Sequence, residues 1–135
     1  MRRGGDEAGV RLRGRAIFAG EAEGEALVTT QPISFYGGVD PSSGEVVERG
    51  HEFRGECVKG RILVFPHGKG STVGSYVLYR LSRCGAAPAA IINARCEPIV
   101  AVGAIISGIP CVDTIDLSRI ERGARLRVAG ATVLA

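Results

Sequence analysis

The run Ile62-Leu63-Val64-Phe65, closed by Pro66 and followed by His67-Gly68-Lys69-Gly70-Ser71-Thr72-Val73-Gly74-Ser75, constrains the fold more than any other part of the chain. Residues 58–65 read as a strand rich in β-branched and aromatic side chains, and the Pro/Gly corner ends it. Val73, Val77, Leu78, Leu81 and Cys84 then recur with a helical period. Arg80 and Arg83 fall in the last turns, where cations suit the helix dipole, and Gly85 is a natural C′ residue. Pro88 prevents continuation, and residues 89–93 form a short apolar strand. Strand, Gly-rich turn, helix and strand in this order predict a parallel, right-handed crossover. Ligands of such units collect beyond the carboxyl ends of the strands, which is where residues 68–71 fall.

The turn has its own chemistry. A serine at the mouth of a helix, among glycines that let other groups approach the backbone, is placed to hold an anion or to become one. It is equally placed to cap the helix, and the two roles are compatible. A nucleotide-binding P-loop is excluded, because Lys69 precedes Gly70 and the Gly-Lys-Ser/Thr order is broken. Gly68-Lys69-Gly70 also lacks the third glycine of a dinucleotide fingerprint at the required spacing.

A chain of 135 residues makes one domain, able to bury about two thirds of its unfolded surface. No run of about eighteen apolar residues marks a membrane span, and Met1-Arg2-Arg3-Gly4-Gly5-Asp6 leads into charge instead of a signal sequence. A cytoplasmic, membrane-free protein is expected. A net charge of +3, without any Lys/Arg run longer than two, does not provide a nucleic-acid surface. Asn93 is the only Asn, Gln31 the only Gln and Met1 the only Met, a depletion of thermolabile side chains that thermophiles share. Cys57, Cys84, Cys96 and Cys111 match no zinc or iron–sulfur spacing and read as buried small hydrophobes in a reducing compartment. His51 and His67 are too few for a metal site without carboxylates. No metal or cofactor is therefore expected on this chain.

Elsewhere, residues 1–10 read as a flexible lead-in to a single domain over 11–135. Residues 11–18 and 25–29 read as strands separated by Gly20 and Gly24, and residues 32–44 as a loop of turn chemistry. Phe35 and Tyr36 in that loop either plug the core or face a partner. Residues 99–106 read as a short apolar helix, 109–112 as a buried parallel strand, and 125–128 with 132–134 as a closing hairpin around Gly130. The fold class that follows is α/β: a layered β/β/α domain with a mixed sheet and a βαβ unit.

The segments Gly20-Glu21-Ala22-Glu23-Gly24-Glu25-Ala26-Leu27-Val28, Pro32-Ile33-Ser34-Phe35-Tyr36-Gly37-Gly38-Val39-Asp40-Pro41, 60–75, Ala87-Pro88-Ala89-Ala90-Ile91-Ile92-Asn93 and Gly103-Ala104-Ile105-Ile106-Ser107-Gly108-Ile109-Pro110 together resemble the small, swivelling subunit of the aconitase X group. The resemblance spans nearly the whole chain after the lead-in. Its most specific element is the Gly-Gly-Val-Asp-Pro loop combined with Gly-Lys-Gly-Ser-x-x-Gly-Ser. It implies a swivelling β/β/α domain and a large partner subunit that carries a four-iron four-sulfur cluster and most of the substrate site. It further implies a hydro-lyase that converts mevalonate 5-phosphate to anhydromevalonate phosphate, with the cluster iron as Lewis acid on the departing tertiary hydroxyl. By the same resemblance Ser71 is the proton acceptor, and Gly68, Lys69, Gly70 and Thr72 surround the phosphorylated substrate. One departure stands out. In the wider aconitases an Arg follows the equivalent serine within two residues, whereas Thr72 and Val73 follow Ser71 here.

Two other functions fit parts of this pattern. A dehydratase of cis-3-hydroxyproline from the same group would share fold and base but need no phosphate pocket. A binding or docking domain of the same shape would act without a partner and without catalysis. Swivelling phosphohistidine carriers are set aside, because neither His51 nor His67 stands at the head of a helix.

Overall fold

The computed structural model describes residues 10–135. Apart from Val10, the expected lead-in lies outside the described residues. Among these residues eight strands and two α-helices follow one another as β1 (Arg11–Arg13), β2 (Arg15–Phe18), β3 (Glu21–Val28), β4 (Ile62–Phe65), α1 (Gly74–Arg83), β5 (Ala90–Asn93), α2 (Pro98–Ser107), β6 (Cys111–Asp113), β7 (Arg125–Ala129) and β8 (Thr132–Leu134). Their order in the sheet is β1-β8-β7-β3-β4-β5-β6-β2. β3, β4, β5 and β6 run parallel, and the remaining pairings are antiparallel. The mixed sheet expected from the sequence is present, with two successive βαβ units.

β1 and β2 are consecutive pieces of one extended segment, yet they pair with opposite ends of the ladder. The sheet therefore closes on itself through this segment. The break falls at Gly14, whose N–H donates to the carbonyl of Ala131 at 2.8 Å. A Cβ at residue 14 would strike the backbone carbonyl of Asp113. Next to the break, Arg15 straps β2 to β6: its Nε and a terminal nitrogen donate to the Asp113 carboxylate at 3.0 and 2.8 Å.

Period-two alternation divides the side chains between two cores. Ile62, Val64, Ala90, Ile92 and Val112 point into the closed sheet with Leu126, Val128 and Val133. Leu63, Phe65, Ile91 and Cys111 point the other way, against Val77, Leu78 and Leu81 of α1, Val100 and Ala104 of α2, and Phe35 and Phe53 of the long loop between β3 and β4, residues 29–61. The helices approach closely at Gly103, where a Cβ would lie 2.5 Å from Leu78 Cδ1. Across the same contact the buried Ser75 hydroxyl donates to the Ile99 carbonyl at 2.7 Å.

Several expected boundaries move. The strand predicted over 58–65 begins only at Ile62, because Gly60 has φ +71° and Arg61 N–H closes a turn onto the Val58 carbonyl at 3.0 Å. Val58 is buried separately, beneath the loop. The strand predicted over 11–18 is split at Gly14, and that over 25–29 starts earlier and runs through Gly24. There a Cβ would lie 2.8 Å from the Gly60 carbonyl, so glycine marks a close backbone approach instead of a strand end. The last parallel strand is shifted to Cys111–Asp113. The apolar stripe of α1 is shorter than its sequence period: Val73 is exposed before the helix and Cys84 is exposed after it. Of the four cysteines only Cys111 is buried; Cys57 and Cys96 are half-buried.

Gly14→Ala should therefore destabilise the domain by about 1–3 kcal/mol, the usual cost of overpacking against fixed atoms. Urea unfolding followed by circular dichroism measures this, and an unchanged midpoint would mean that the closure tolerates a side chain there. Acid stability tests the neighbouring strap. Burial is the strongest influence on the Asp113 carboxyl and opposes its ionisation, but Arg15, the Cys96 N–H and the Thr114 hydroxyl together hold it below its ordinary value of 3.8. Folding thus depresses this pKa, so the stabilisation is complete above the ordinary value and is lost as pH falls through the folded one. Arg15→Ala should move the acid-unfolding midpoint to higher pH, and identical acid titrations for the two proteins would assign the hold on Asp113 to its other donors.

Candidate active site

Beyond β4 the chain keeps a partner for a few more residues. Ile33 and Gly68 form a parallel bridge, and the Lys69 N–H donates to the Ile33 carbonyl at 3.0 Å. The turn then comes at Gly70, whose φ of +87° favours glycine. Space demands it as well, since a Cβ would lie 2.6 Å from Ser34 Oγ.

Ser71 follows, exposed, at the tip. Its Oγ accepts from the Val73 N–H at 3.1 Å, and its carbonyl accepts from the Gly74 N–H at 2.9 Å. The α-helix itself begins at Gly74, with Val73 in the capping position and no side-chain cap. The expected helix-mouth serine is thus the opening residue of a turn that leads into the helix. The N–H groups of Gly70, Ser71 and Thr72 find no acceptor among the described residues. Three successive N–H donors thus stand beside an exposed hydroxyl at the positive end of α1.

The other residues singled out in the sequence take up different positions. Lys69 reaches back to Glu48, with Nζ 2.9 Å from Oε2, so its charge is matched by a carboxylate of the long loop. Glu48 Oε1 is buried and without a partner. Gly68 is buried, and a Cβ there would collide with Glu97 Oε1 and lie 2.6 Å from Val100 Cγ2. The Glu97 carboxylate is itself engaged, accepting the Ile99 and Val100 N–H groups at 2.8 and 2.9 Å as the cap of α2. Thr72 is exposed and borders a hollow of about 330 Å³ between the starts of the two helices.

Phe35 and Tyr36, left open between core and surface, divide the two roles. Phe35 is 1% exposed and meets Phe65 edge to face, with ring centroids 5.9 Å apart. Tyr36 is 56% exposed. With Val47, Val73 and the outward-facing Tyr76 it lines an apolar groove of about 510 Å³ between the loop and α1, next to the Ser71 turn.

Glu48, Glu97 and Ser34 were not foreseen. A local signal existed for Glu97, since an acidic residue directly before a proline and an apolar run is a helix start. Glu48 and Ser34 carry no such signal; only the folded loop brings them to the turn. His51 is buried, with its ring nitrogens against the Pro32 carbonyl and the Phe53 N–H, and has a structural place in the loop. Among the described residues no group of three or more His, Cys, Asp or Glu side chains is placed to hold a metal ion.

The family model described as the aconitase X swivel domain matches residues 11–135. The chain belongs to the aconitase X swivel-domain family. It is similar to the phosphomevalonate dehydratase small subunit of Methanosarcina acetivorans, at 61% identity over 112 residues, covering 83% of this chain and 78% of that protein. It is similar also to the phosphomevalonate dehydratase small subunit of Thermococcus onnurineus, at 54% identity over 119 residues, covering 88% and 92%. A crystal structure of Thermococcus kodakaraensis aconitase X in its holo-form superposes with a TM-score of 0.90 at 51% identity, covering 92% of this chain and 96% of that one. The swivel-domain fold implied by the sequence resemblance is therefore established, and the closed mixed sheet with two helices is its form here.

In this swivel domain the two loop aromatics should separate experimentally. Phe35→Ala removes a fully buried ring and should cost about 3–5 kcal/mol of folding stability. Tyr36→Ala should leave the thermal unfolding midpoint close to wild type, because its ring is already in water. Equal destabilisation by both substitutions would contradict the division of roles.

Proposed function

We propose that this chain is the small subunit of a phosphomevalonate dehydratase, a hydro-lyase that acts only when joined to a large subunit. The curated names of its relatives support the substrate, mevalonate 5-phosphate, over a hydroxyproline. The observation that supports the assignment of chemistry is the exposed Ser71 hydroxyl on a turn whose Gly70, Ser71 and Thr72 N–H groups find no acceptor among the described residues, two residues before Val73, which lines an apolar groove.

In this reading Ser71 Oγ accepts the substrate proton as the tertiary hydroxyl departs. A four-iron four-sulfur cluster, held by the large subunit, supplies Lewis-acid chemistry to that leaving group. Holding a serine as alkoxide near neutrality means lowering its pKa by roughly six units, about 8 kcal/mol. The start of α1 contributes at most about 2 kcal/mol of that. Lys69 adds little in the isolated chain, because Glu48 matches its charge. The remainder comes from a site dried and closed by the partner, where the same N–H donors act in a low dielectric.

Gly70, Ser71 and Thr72 offer their N–H groups to an oxyanion of the substrate, and Lys69 adds a cation at the edge. Gly68 acts through the loop: its missing side chain lets the turn sit flush on Glu97. The Tyr36–Tyr76 groove supplies apolar surface beside Ser71 for the large subunit to cover, consistent with the aromatic anchors that dominate interfaces. Among the described residues no helix is long and apolar enough to cross a membrane, and we place the assembled enzyme in the cytoplasm.

Ser71→Ala should reduce turnover of the reconstituted two-subunit enzyme by several orders of magnitude, in kcat more than in KM. Its folding stability should fall by only about 1 kcal/mol, since one turn hydrogen bond is lost. Lys69→Ala should have an intermediate effect. Steady-state kinetics with mevalonate 5-phosphate, paired with unfolding curves, separates catalysis from folding. A Ser71→Ala enzyme that keeps more than a tenth of wild-type turnover, a deficit under about 1.4 kcal/mol, would move the base to the partner.

A further inference from the structure

Cys96 and Cys111 lie in the layer between the sheet and α2, outside the catalytic turn. Their sulfurs are 3.9 Å apart. Cys111 is the first residue of β6 and fully buried; Cys96 is half-buried in the connection from β5 to α2. A further bond fixes this approach, because the Cys96 N–H donates to Asp113 Oδ2 at 2.9 Å and so ties the connection to β6. The other two thiols have different surroundings. Cys57 donates to the Ser43 carbonyl at 3.2 Å, and Cys84 is exposed at the end of α1.

We propose that Cys96 and Cys111 are a modification site, a dithiol that closes to an intrachain disulfide and reopens on reduction. A disulfide needs its sulfurs about 2.05 Å apart, so closure asks the two sulfurs to approach by roughly 1.9 Å. The oxidant is a small-molecule disulfide. The more accessible Cys96, as thiolate, attacks it, forms a mixed disulfide and releases one thiol. The Cys111 sulfur, on losing its proton, then attacks the Cys96 sulfur and releases the second thiol. Two protein thiols have thus lost two electrons and two protons, and one disulfide has become two thiols. In the reduced protein the Cys111 thiol pKa is pushed up, first by its hydrogen bond with Cys96 and then by burial, so the first attack falls to Cys96.

The position gives the bond a consequence. Cys96 directly precedes Glu97, whose carboxylate caps α2 and packs against Gly68 behind the catalytic turn. Closure would clamp this cap to β6. The chemistry of the pair does not depend on the catalytic assignment of Ser71.

The purified full chain, reduced and then incubated without oxygen with oxidised glutathione, provides the test. After alkylation of remaining thiols, mass spectrometry without reductant should find the Cys96 and Cys111 peptides cross-linked, with Cys57 and Cys84 alkylated or carrying glutathione. Dithiothreitol should reverse the link and lower the thermal unfolding midpoint of the oxidised protein back to that of the reduced one. Cys84→Ser should keep the link, whereas Cys96→Ser should abolish it and leave Cys111 free. A lasting glutathione adduct on Cys96, alkylation of both thiols after oxidation, or a cross-link between any other pair would overturn the proposal.

Discussion

A four-residue strand with no exposed side chain holds this molecule together. Ile62, Leu63, Val64 and Phe65 sit between two parallel neighbours and send alternate side chains into two cores. A slip of one residue would exchange the contents of those cores, putting Leu63 and Phe65 inside the closed sheet and Ile62 and Val64 under the helices. With both cores buried, that exchange is heavily disfavoured, because close-packed interiors tolerate little change of volume. The register of β4 therefore sets where its carboxyl end lies, and with it the position of the Gly68–Ser71 turn.

The turn is supported from three sides, each by backbone or by a side chain already committed elsewhere. Ile33 pairs with it from the long loop, Glu97 and Val100 press on Gly68 from the start of α2, and the approach of Ser34 excludes a side chain at Gly70. This is a rigid mounting for a small exposed group. It leaves Ser71 exposed at the tip, with its hydroxyl engaged only by the Val73 N–H among the described residues. Lys69 illustrates the same economy. Paired with Glu48, it fastens the long loop to the turn while the domain stands alone.

The surface beside the turn continues this logic. Tyr36, Val73 and Tyr76 are kept in water along a groove next to Ser71, while Phe35, one residue from Tyr36, is driven into the core against Phe65. The loop is thereby anchored by one ring and presents the other. Thr72 and Ser75, at the neighbouring hollow, lie where α1 and α2 begin, so movement of either helix would be felt at the Gly68–Ser71 turn.

The sequence by itself determined the β4–turn–α1–β5 unit, the second helix and the closing hairpin, because period, Gly and Pro signals are local and agree with one another. The family was legible for a related reason: the Gly-rich turn and the Gly-Gly-Val-Asp-Pro loop are spelled out by residues whose backbone geometry admits few substitutes. What lay outside its reach was set by contacts between residues distant in the chain. The closure at Gly14 depends on Asp113 and Ala131, and the early end of the strand before Ile62 depends on a turn the apolar pattern conceals. The exposure of Cys84 and Val73 follows from where α1 stops and what it faces, which its period does not encode. Glu48, Ser34 and the Cys96–Cys111 approach joined the picture only through tertiary structure, since chain separation hides any pairing made by folding.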